Sequence, residues 1–444
     1  MDIIKNWAEL TWEEKREERF KRWLSPPYSR FESQEAEKLY KARVTRFIKA
    51  IKMEEPDRVP VMLPTGNYPA FYAGIDVNTI MYDYTAMRKA WIKFMDDFGD
   101  MDTFNAPSLI PSGKITEALK SKTTLWPGLG LPKDSPMNQI IEGEYMNPDE
   151  YKLFLRDPSD FNIRVMLPRT VGLFESFKKL PPLNSPRINW ISIMTDPDIR
   201  RTFQTLMDLG DAYKQWQKAY SDVGRIVMSR GYPTLRGSGL MGNAPFDQFA
   251  DMLRGTRGIS MDLRRQPELL HEAMERWLEI SVSNIKGVGM TNCPVVSIPL
   301  HKGDDTFMSD KQFETFYWPY LRRLLLAMID EGLVPMPFAE GKYTNRLKQI
   351  VDTPRSGVVW YFDQTDMVQA KKILGNVSCL VGNVPSSIIM KGTAGEVKEA
   401  CRKVIEICAP GGGYILSGGA SVHQTSIPNL KAMMDAAYQY GIYK

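Results

Sequence analysis

Five short apolar segments recur in the C-terminal half of the chain, and each ends in a polar or glycine-rich turn that leads into an amphipathic segment. The apolar segments lie at 293–300, 334–339, 357–362, 377–381 and 413–417. Uninterrupted apolar strands that alternate with helices indicate a parallel sheet covered on both faces. In barrels of this kind the catalytic groups lie at the carboxyl ends of the strands. The sequence therefore predicts an α/β fold whose functional residues follow these segments.

The N-terminal half shows a weaker pattern. Residues 1–50 are predicted to form a helical arm, and residues 51–444 a barrel, since a single barrel with an insertion fits this length. Residues 108–200 are rich in proline and too long for an ordinary loop, so we expect an insertion that covers one mouth of the barrel. Additional strands are predicted at 59–63, 101–107, 188–193, 225–229 and 235–241. The arm could cap the barrel or pack on a partner subunit in a homodimer, and the sequence leaves both open.

The charge balance excludes several classes of protein. The chain carries 57 Lys and Arg against 53 Asp and Glu, a net charge of +4, without a long basic run. This balance is not typical of nucleic-acid binding. No apolar run approaches the ~20 residues needed to cross a bilayer, and the first residues lack the layout of a signal peptide. We therefore expect a cytoplasmic protein with no nucleic-acid or membrane partner.

Several ordered motifs resemble the uroporphyrinogen decarboxylase superfamily. The resemblance extends over about residues 45–444 and is strongest after Leu240. The motifs that carry it are GLMGNAPFDQFADMLRG, PLHKGDDTFMSDKQFETFYWPYL, FAEGKYTNRL, WYFDQTDMVQAKKILG, LVGNVPSSIIMKGTAGEV and GGYILSGGASV. This resemblance implies an (α/β)8 TIM barrel. It also implies one of two activities, which are decarboxylation of uroporphyrinogen and methyl transfer to or from a corrinoid cofactor on a partner protein.

The chain departs from both branches of the superfamily at informative places. The decarboxylases carry an arginine-rich segment that grips substrate carboxylates, but the matching turn at 64–74 contains no arginine. Many of the methyltransferases bind zinc through a His-x-Cys-Gly motif and a cysteine after the last strand. Here the corresponding residues are 338–341, which read FAEG, and 418–420, which read GGA. The pattern looks closer to the enzymes that demethylate methoxylated aromatic compounds.

Three polar residues at predicted strand ends are candidates for catalysis. His301 could act as a general acid near neutral pH or ligate a metal, or it could hydrogen-bond a neighbouring loop. Glu340 stands where relatives keep a zinc-binding cysteine, and could be a ligand, a proton carrier or a salt-bridge partner of Lys342. Asp363 is the better substrate contact of its turn, because Asp366 is placed to cap the next helix.

Other residues are candidates for binding. His301, Glu340 and His423 would make a set of two histidines and one carboxylate that could hold Zn²⁺ or another divalent ion. The residues that could line a substrate pocket are mostly aromatic, although aromatic residues are more often part of the core. They are Tyr68, Phe71, Tyr232, Phe246 and the amide Asn383, which more simply orders a turn.

The resemblance thus implies a methyltransferase that moves a methyl group from a methoxylated small molecule to cobalamin bound on a partner corrinoid protein. One alternative is a decarboxylase of a smaller substrate, for which Arg230, Arg236 and Lys302 are the only cationic anchors near predicted strand ends. A second alternative is a barrel without catalytic activity. Polar residues at the strand ends count against this second alternative, because folding alone does not require them there.

Overall fold

The computed structural model describes residues 6–107, 110–235 and 242–443. The strands in these residues are β1 (Val61–Met62), β2 (Thr124–Pro127), β3 (Gly130–Leu131), β4 (Gln139–Ile140), β5 (Val295–Leu300), β6 (Val334–Ala339), β7 (Val359–Phe362), β8 (Cys379–Val381) and β9 (Tyr414–Ser417). The five apolar segments of the C-terminal half are therefore confirmed as strands β5 to β9, and the segment at 59–63 contains β1.

Helices connect and cover these strands. They are α1 (Trp12–Leu24), α2 (Gln34–Ile51), α3 (Tyr68–Tyr72), α4 (Val77–Tyr82), α5 (Tyr84–Phe98), α6 (Gly113–Leu119), α7 (Tyr151–Arg156), α8 (Pro158–Phe161), α9 (Leu167–Thr170), α10 (Trp190–Ile193), α11 (Pro197–Ser229), α12 (Pro245–Phe249), α13 (Gly255–Arg265), α14 (Pro267–Lys286), α15 (Asp310–Gln312), α16 (Trp318–Asp330), α17 (Leu347–Ile350), α18 (Met367–Leu374), α19 (Ser386–Lys391), α20 (Ala394–Cys408) and α21 (Ile427–Tyr440). None of the helices in the described residues is long and apolar enough to cross a membrane.

Six strands form one curled sheet in the order β1-β9-β8-β7-β6-β5. Every neighbouring pair in it is parallel. Successive strands from β5 to β9 are neighbours in the sheet and are joined through helices, which is the connection that parallel strands require. The sheet therefore places the turns after β5, β6, β7, β8 and β9 at one edge, as the sequence predicts.

Residues outside the strands form hydrogen bonds at both ends of this sheet. The Asp102 carboxylate accepts a hydrogen bond from Val61 N at 2.8 Å, beside β1. Phe104 N then donates to Pro233 O at 3.2 Å, and Gly242 N donates to Ser297 O of β5 at 3.3 Å. The six strands thus form a partial ring, and these hydrogen bonds lie at its two ends. The predicted TIM-barrel-like α/β fold is confirmed.

Some of the predicted strands are wrong. Residues 101–107 are extended without forming a regular ladder, and residues 225–229 are the last turns of α11. The segment at 188–193 contains the helix α10, because the Asn189 side chain accepts a hydrogen bond from Ser192 N and so begins a helix there. The segment at 235–241 lies outside the described residues, apart from Leu235.

Alternate residues of the barrel strands enter two different cores. In β7, Val359 and Tyr361 belong to a cluster inside the ring, and Trp360 and Phe362 belong to the larger cluster beneath the outer helices. The interior cluster also contains side chains of α1 and α2, among them Phe47. The arm helices therefore cap the barrel from the side where its strands begin.

The segment between α6 and α11, which we call the inserted layer, contains a small sheet. The strands β2, β3 and β4 make a three-stranded sheet in the order β3-β2-β4. The residues after β4 return to the barrel, where the Glu142 carboxylate accepts a hydrogen bond from Thr256 N of α13. This contact brings the inserted layer to the turn after β5.

Candidate functional site

A buried carboxylate fixes the turn that follows β5. Asp247, in α12, accepts hydrogen bonds from the backbone N–H of His301 at 2.9 Å and of Lys302 at 3.1 Å. The Tyr317 hydroxyl donates to the same carboxylate at 2.7 Å. Burial, together with the neighbouring Asp251, raises the pKa of Asp247 to about 6. The Asp247 carboxylate therefore accepts from three donors and fixes the backbone of His301 and Lys302.

The His301 ring lies between two carboxylates. Its Nδ1 donates to Asp251 Oδ2 at 2.6 Å, and its Nε2 lies 3.5 Å from Glu340 Oε2. The hydrogen bond to Asp251 is the main cause that raises the pKa of His301, although burial works against it. The Asp251 side chain is 20% exposed and that of Glu340 is 54% exposed. Asp251 thus orients the imidazole through Nδ1, and Glu340 faces solvent beside Nε2.

Asp247 and Asp251 reach this turn because they lie four residues apart on one face of a helical segment. The helix α12 continues into a π-helical turn, Ala250–Arg254, which contains Asp251. Turns of this kind are frequent at functional sites. Sequence reasoning missed both residues. The motif GNAPFDQFADMLRG held a signal, since two aspartates with helical spacing follow a predicted strand directly.

His301 and Glu340 open into a cleft of about 660 Å³ at the carboxyl ends of the strands. The cleft has an apolar part, to which Ile140, Met252 and Phe307 contribute, and a part lined by charged residues. The charged residues are Glu142, Asp251, His301, Lys302, Asp304 and Glu340. Ile140 and Glu142 come from the inserted layer, so that layer forms one wall of the cleft.

Asp363 and Asn383 lie in neighbouring turns but do not line the cleft. Gly341 N donates to Asp363 Oδ2 at 3.2 Å, so Asp363 supports the turn that carries Glu340. Asn383 Nδ2 donates to Thr365 O at 2.7 Å and so orders a turn. Asp366 caps α18, as the sequence predicts, by accepting from Val368 N and Gln369 N. Of the three catalytic candidates, His301 and Glu340 lie close together at the cleft, and Asp363 supports the turn of Glu340 without lining the cleft.

The aromatic candidates do not form one pocket. Tyr68 packs edge-on against Phe94, and Phe71 lies in the same short helix, α3. Phe246 is buried against Tyr317. The Tyr232 hydroxyl donates to Gly99 O at 2.7 Å, and Arg43 of the arm lies 4.4 Å from the Tyr232 ring centroid. These side chains are parts of the core or of the contact with the arm, and none of them lines the cleft.

The predicted metal set is not assembled. In residues 6–107, 110–235 and 242–443, no group of three His, Cys, Asp or Glu side chains could hold a metal ion. His423 lies beside Gly66, its Nδ1 has no hydrogen-bond partner, and burial lowers its pKa. The side chains of His301 and Glu340 therefore lack the third ligand that the sequence suggested. The donor set does not fit Zn²⁺.

The fold and the cleft define the class of protein. It is a TIM-barrel-like α/β protein whose polar cleft lies where the catalytic groups of such barrels are found. Residues 235–440 match the model of the uroporphyrinogen decarboxylase family, so the superfamily resemblance is confirmed for this part of the chain. A comparison with curated proteins finds no match.

The fold is similar to that of solved structures. One of them is a methyltransferase from Methanosarcina mazei, with a TM-score of 0.55 and 16% sequence identity. The similarity covers 90% of this chain and 98% of that protein. At this level of identity the similarity shows a shared fold, and the chemistry must be argued from the cleft.

Proposed function

We propose that this protein is a methyltransferase that moves a methyl group from a methoxylated aromatic compound to cob(I)alamin on a partner corrinoid protein. The family match at 235–440 and the fold shared with a methyltransferase support the class of reaction. The observation that carries the proposal is the hydrogen-bonded pair of Asp251 and His301, whose Nε2 lies beside the cleft, 3.5 Å from Glu340 Oε2. A protonated His301 beside the cleft supports a proton donor for the leaving oxygen.

The demethylation of an ether needs two things besides a nucleophile. Reduced cobalt in the corrinoid supplies the nucleophile and takes the methyl group. The ether oxygen keeps the electron pair of the broken O–CH3 bond, and its negative charge must be neutralised as it develops. In our proposal His301 gives the proton from Nε2 to that oxygen, and the product leaves as a phenol.

The surrounding residues keep His301 ready for this task. The Asp251 carboxylate accepts from Nδ1, so it fixes the ring orientation and favours the protonated imidazole. Glu340 lies 3.5 Å from Nε2 and is exposed, so it can return a proton from solvent after each turnover. The apolar part of the cleft, with Ile140, Met252 and Phe307, has a surface suited to an aromatic ring.

A decarboxylase of a small carboxylated substrate is supported less well. Such an enzyme needs cationic anchors beside the substrate. Arg230 lies 2.6 Å from Asp96 at the end of α11, and it does not line the cleft. Arg236 lies outside the described residues. Lys302 does line the cleft, but Asp251 already lies 3.7 Å from it.

The test mixes the protein with aryl methyl ethers and chemically reduced cobalamin in the absence of oxygen, and follows methylcobalamin by absorbance. We expect methylcobalamin with at least one methoxylated aromatic compound, and faster formation when a suitable corrinoid protein is supplied. A broad panel of aryl methyl ethers, methylamines and methyl thioethers that yields none would refute the proposal. Conversion of uroporphyrinogen to coproporphyrinogen at more than about 1 s⁻¹, the low end for enzymes, would instead identify a decarboxylase.

A further inference from the structure

The charges that line the cleft are unbalanced. Glu142, Asp251, Asp304 and Glu340 contribute four carboxylates, while Lys302 and a protonated His301 contribute two cations. Among the residues that the structure describes, no arginine lines the cleft. Burial would raise the pKa of Glu142, but its hydrogen bonds with Thr256 outweigh burial and hold that pKa below the ordinary value. The cleft therefore has an excess of negative charge at neutral pH.

Lys302, the one lysine of the lining, is already engaged. Its Nζ donates to Thr256 Oγ1 at 2.8 Å, and it lies 3.7 Å from Asp251 Oδ1. The same Nζ lies 5.5 Å from the centroid of the Phe307 ring. The Lys302 side chain is 18% exposed. A substrate carboxylate could reach this ammonium group only by displacing partners that already neutralise it.

Two further cations near the cleft are also beside carboxylates. Arg257, on α13, lies 3.6 Å from Glu144. Lys342 follows the lining residue Gly341, and its charge acts on Asp305 and Asp366. An anionic ligand would thus meet carboxylates that outnumber the cations available to it.

We infer that the cleft selects a methyl donor that is uncharged or cationic and discriminates against a donor that carries a carboxylate. This inference rests on the proposed function and adds the charge class of the donor to it. A donor with an ammonium group on its ring gains attraction from Glu142 and Asp304, while its ring contacts the apolar part of the cleft. A carboxylate at the same place is repelled by the same two side chains.

Three donors of matched size test the inference, namely 4-methoxybenzylamine, 4-methoxybenzyl alcohol and 4-methoxybenzoate. We expect kcat/KM for methyl transfer to decrease in that order. The amine should exceed the benzoate by about tenfold or more, because one unit charge a few ångströms from an uncompensated carboxylate has an effect of this order. The ratio should fall as salt is added, since salt screens the charges. Equal or better use of the benzoate would overturn the inference.

Two isosteric variants test the cause. Glu142→Gln and Asp304→Asn each remove one negative charge. Glu142→Gln keeps an oxygen that accepts from Thr256 N, and Asp304→Asn keeps an oxygen for Phe307 N and offers an amide N–H to Thr306 Oγ1. Each variant should lower the preference for the amine over the benzoate severalfold. The matched control is Glu279→Gln on α14, which removes a charge that lies 3.0 Å from Arg276 and outside the cleft, and it should leave the preference unchanged. An unchanged preference in both cleft variants would also overturn the inference.

Binding of the three compounds, measured by calorimetry without cobalamin, separates this inference from the proposed function. The amine binding more tightly than the benzoate, without any methyl transfer, would support the charge selection and refute the methyltransferase. Methyl transfer with a preference for the benzoate would support the methyltransferase and refute the charge selection. The absence of binding by all three compounds would overturn the charge selection itself.

Discussion

The two ends of the barrel differ in the polarity and the exposure of their side chains. At the end where the strands begin, α1 and α2 seal the interior with apolar side chains such as Phe20, Trp23 and Phe47, all of them buried. At the end where the strands finish, charged side chains surround an open cleft of about 660 Å³. The closed end supplies burial and therefore stability. The open end leaves polar groups accessible, and polar groups at this end of a barrel are the ones that catalyse reactions.

Charged residues occur at both ends, but their surroundings differ. At the closed end, Asp102 is completely buried and lies 2.5 Å from Arg46 and 2.6 Å from Arg58. At the open end, Glu340 is half exposed and its nearest cationic partner is His301 at 3.5 Å. A fully paired buried carboxylate is fixed in one arrangement, whereas an exposed one can exchange protons with water. This difference predicts that mutations at the closed end will lower the free energy of unfolding and that mutations at the open end will lower activity.

The largest effect is expected at the closed end. Asp102→Ala would leave Arg46 and Arg58 without their shared carboxylate and Val61 N without its acceptor. Removing one partner of a buried ion pair costs about 3–5 kcal/mol of the free energy of unfolding. Urea unfolding should show this loss, while Asp208→Ala, on the exposed side of α11, should change little. An Asp102→Ala protein of normal stability would contradict the assignment of this end to structure.

A large effect on rate is expected at the open end. His301→Gln removes the proposed proton donor, whose contribution of about 3 kcal/mol corresponds to roughly 100-fold in kcat. Urea unfolding should be nearly unchanged, because the His301 side chain is 37% exposed. Glu340→Gln should lower the rate less, since solvent can also return the proton. If both variants keep near-normal rates on the true donor, the proton donor lies elsewhere.

A smaller and more specific effect is expected for Asp251→Asn. The hydrogen bond to Asp251 raises the pKa of His301, so its loss should lower that pKa. Because the protonated imidazole is the active form, the rate falls as pH rises through the pKa of His301, and this fall should move to lower pH in the variant. At neutral pH we expect kcat to be severalfold lower, with KM little changed. Asp251→Glu should restore part of the rate, whereas an unchanged pH profile would assign Asp251 a purely structural role.

The smallest effect is expected for His423→Gln. His423 lies beside Gly66 and belongs to no group of metal ligands in the described residues. Its replacement should change kcat by less than about twofold, a difference of under ~0.5 kcal/mol, and should not change metal content measured by elemental analysis. A loss of bound metal together with activity in this variant would restore the metal set that the sequence suggested.

The sequence predicts the regular part of this fold well because the pattern there is local. Strands β5 to β9 are short apolar runs with turn residues at their ends, and Asp366 caps α18 as expected. The prediction of a strand at 225–229 failed for a local reason too. Val223 and Val227 are buried four residues apart on one face, so the apolar spacing there continues the helix α11.

The candidate site could be predicted only in part. His301 and Glu340 follow neighbouring strands, and the parallel order of β5 and β6 brings them together. Asp251 could not be paired with His301 in advance, because 50 positions separate them and their contact depends on how α12 packs against β5. The role of the aromatic candidates could not be decided from the sequence, because an aromatic residue after a strand fills the core as readily as it lines a cleft.

The pairing of the first barrel strand with the last has a consequence for synthesis on the ribosome. The Ser417 hydroxyl donates to Met62 O across 355 positions of the chain, and Val61 is paired with Leu416. At about 5–20 residues per second, roughly 20–70 s pass between the synthesis of these two strands. During that interval the apolar faces of α1 and α2 lack the C-terminal strands against which they pack. The partial ring is therefore completed at β1 only once the C-terminal strands have emerged.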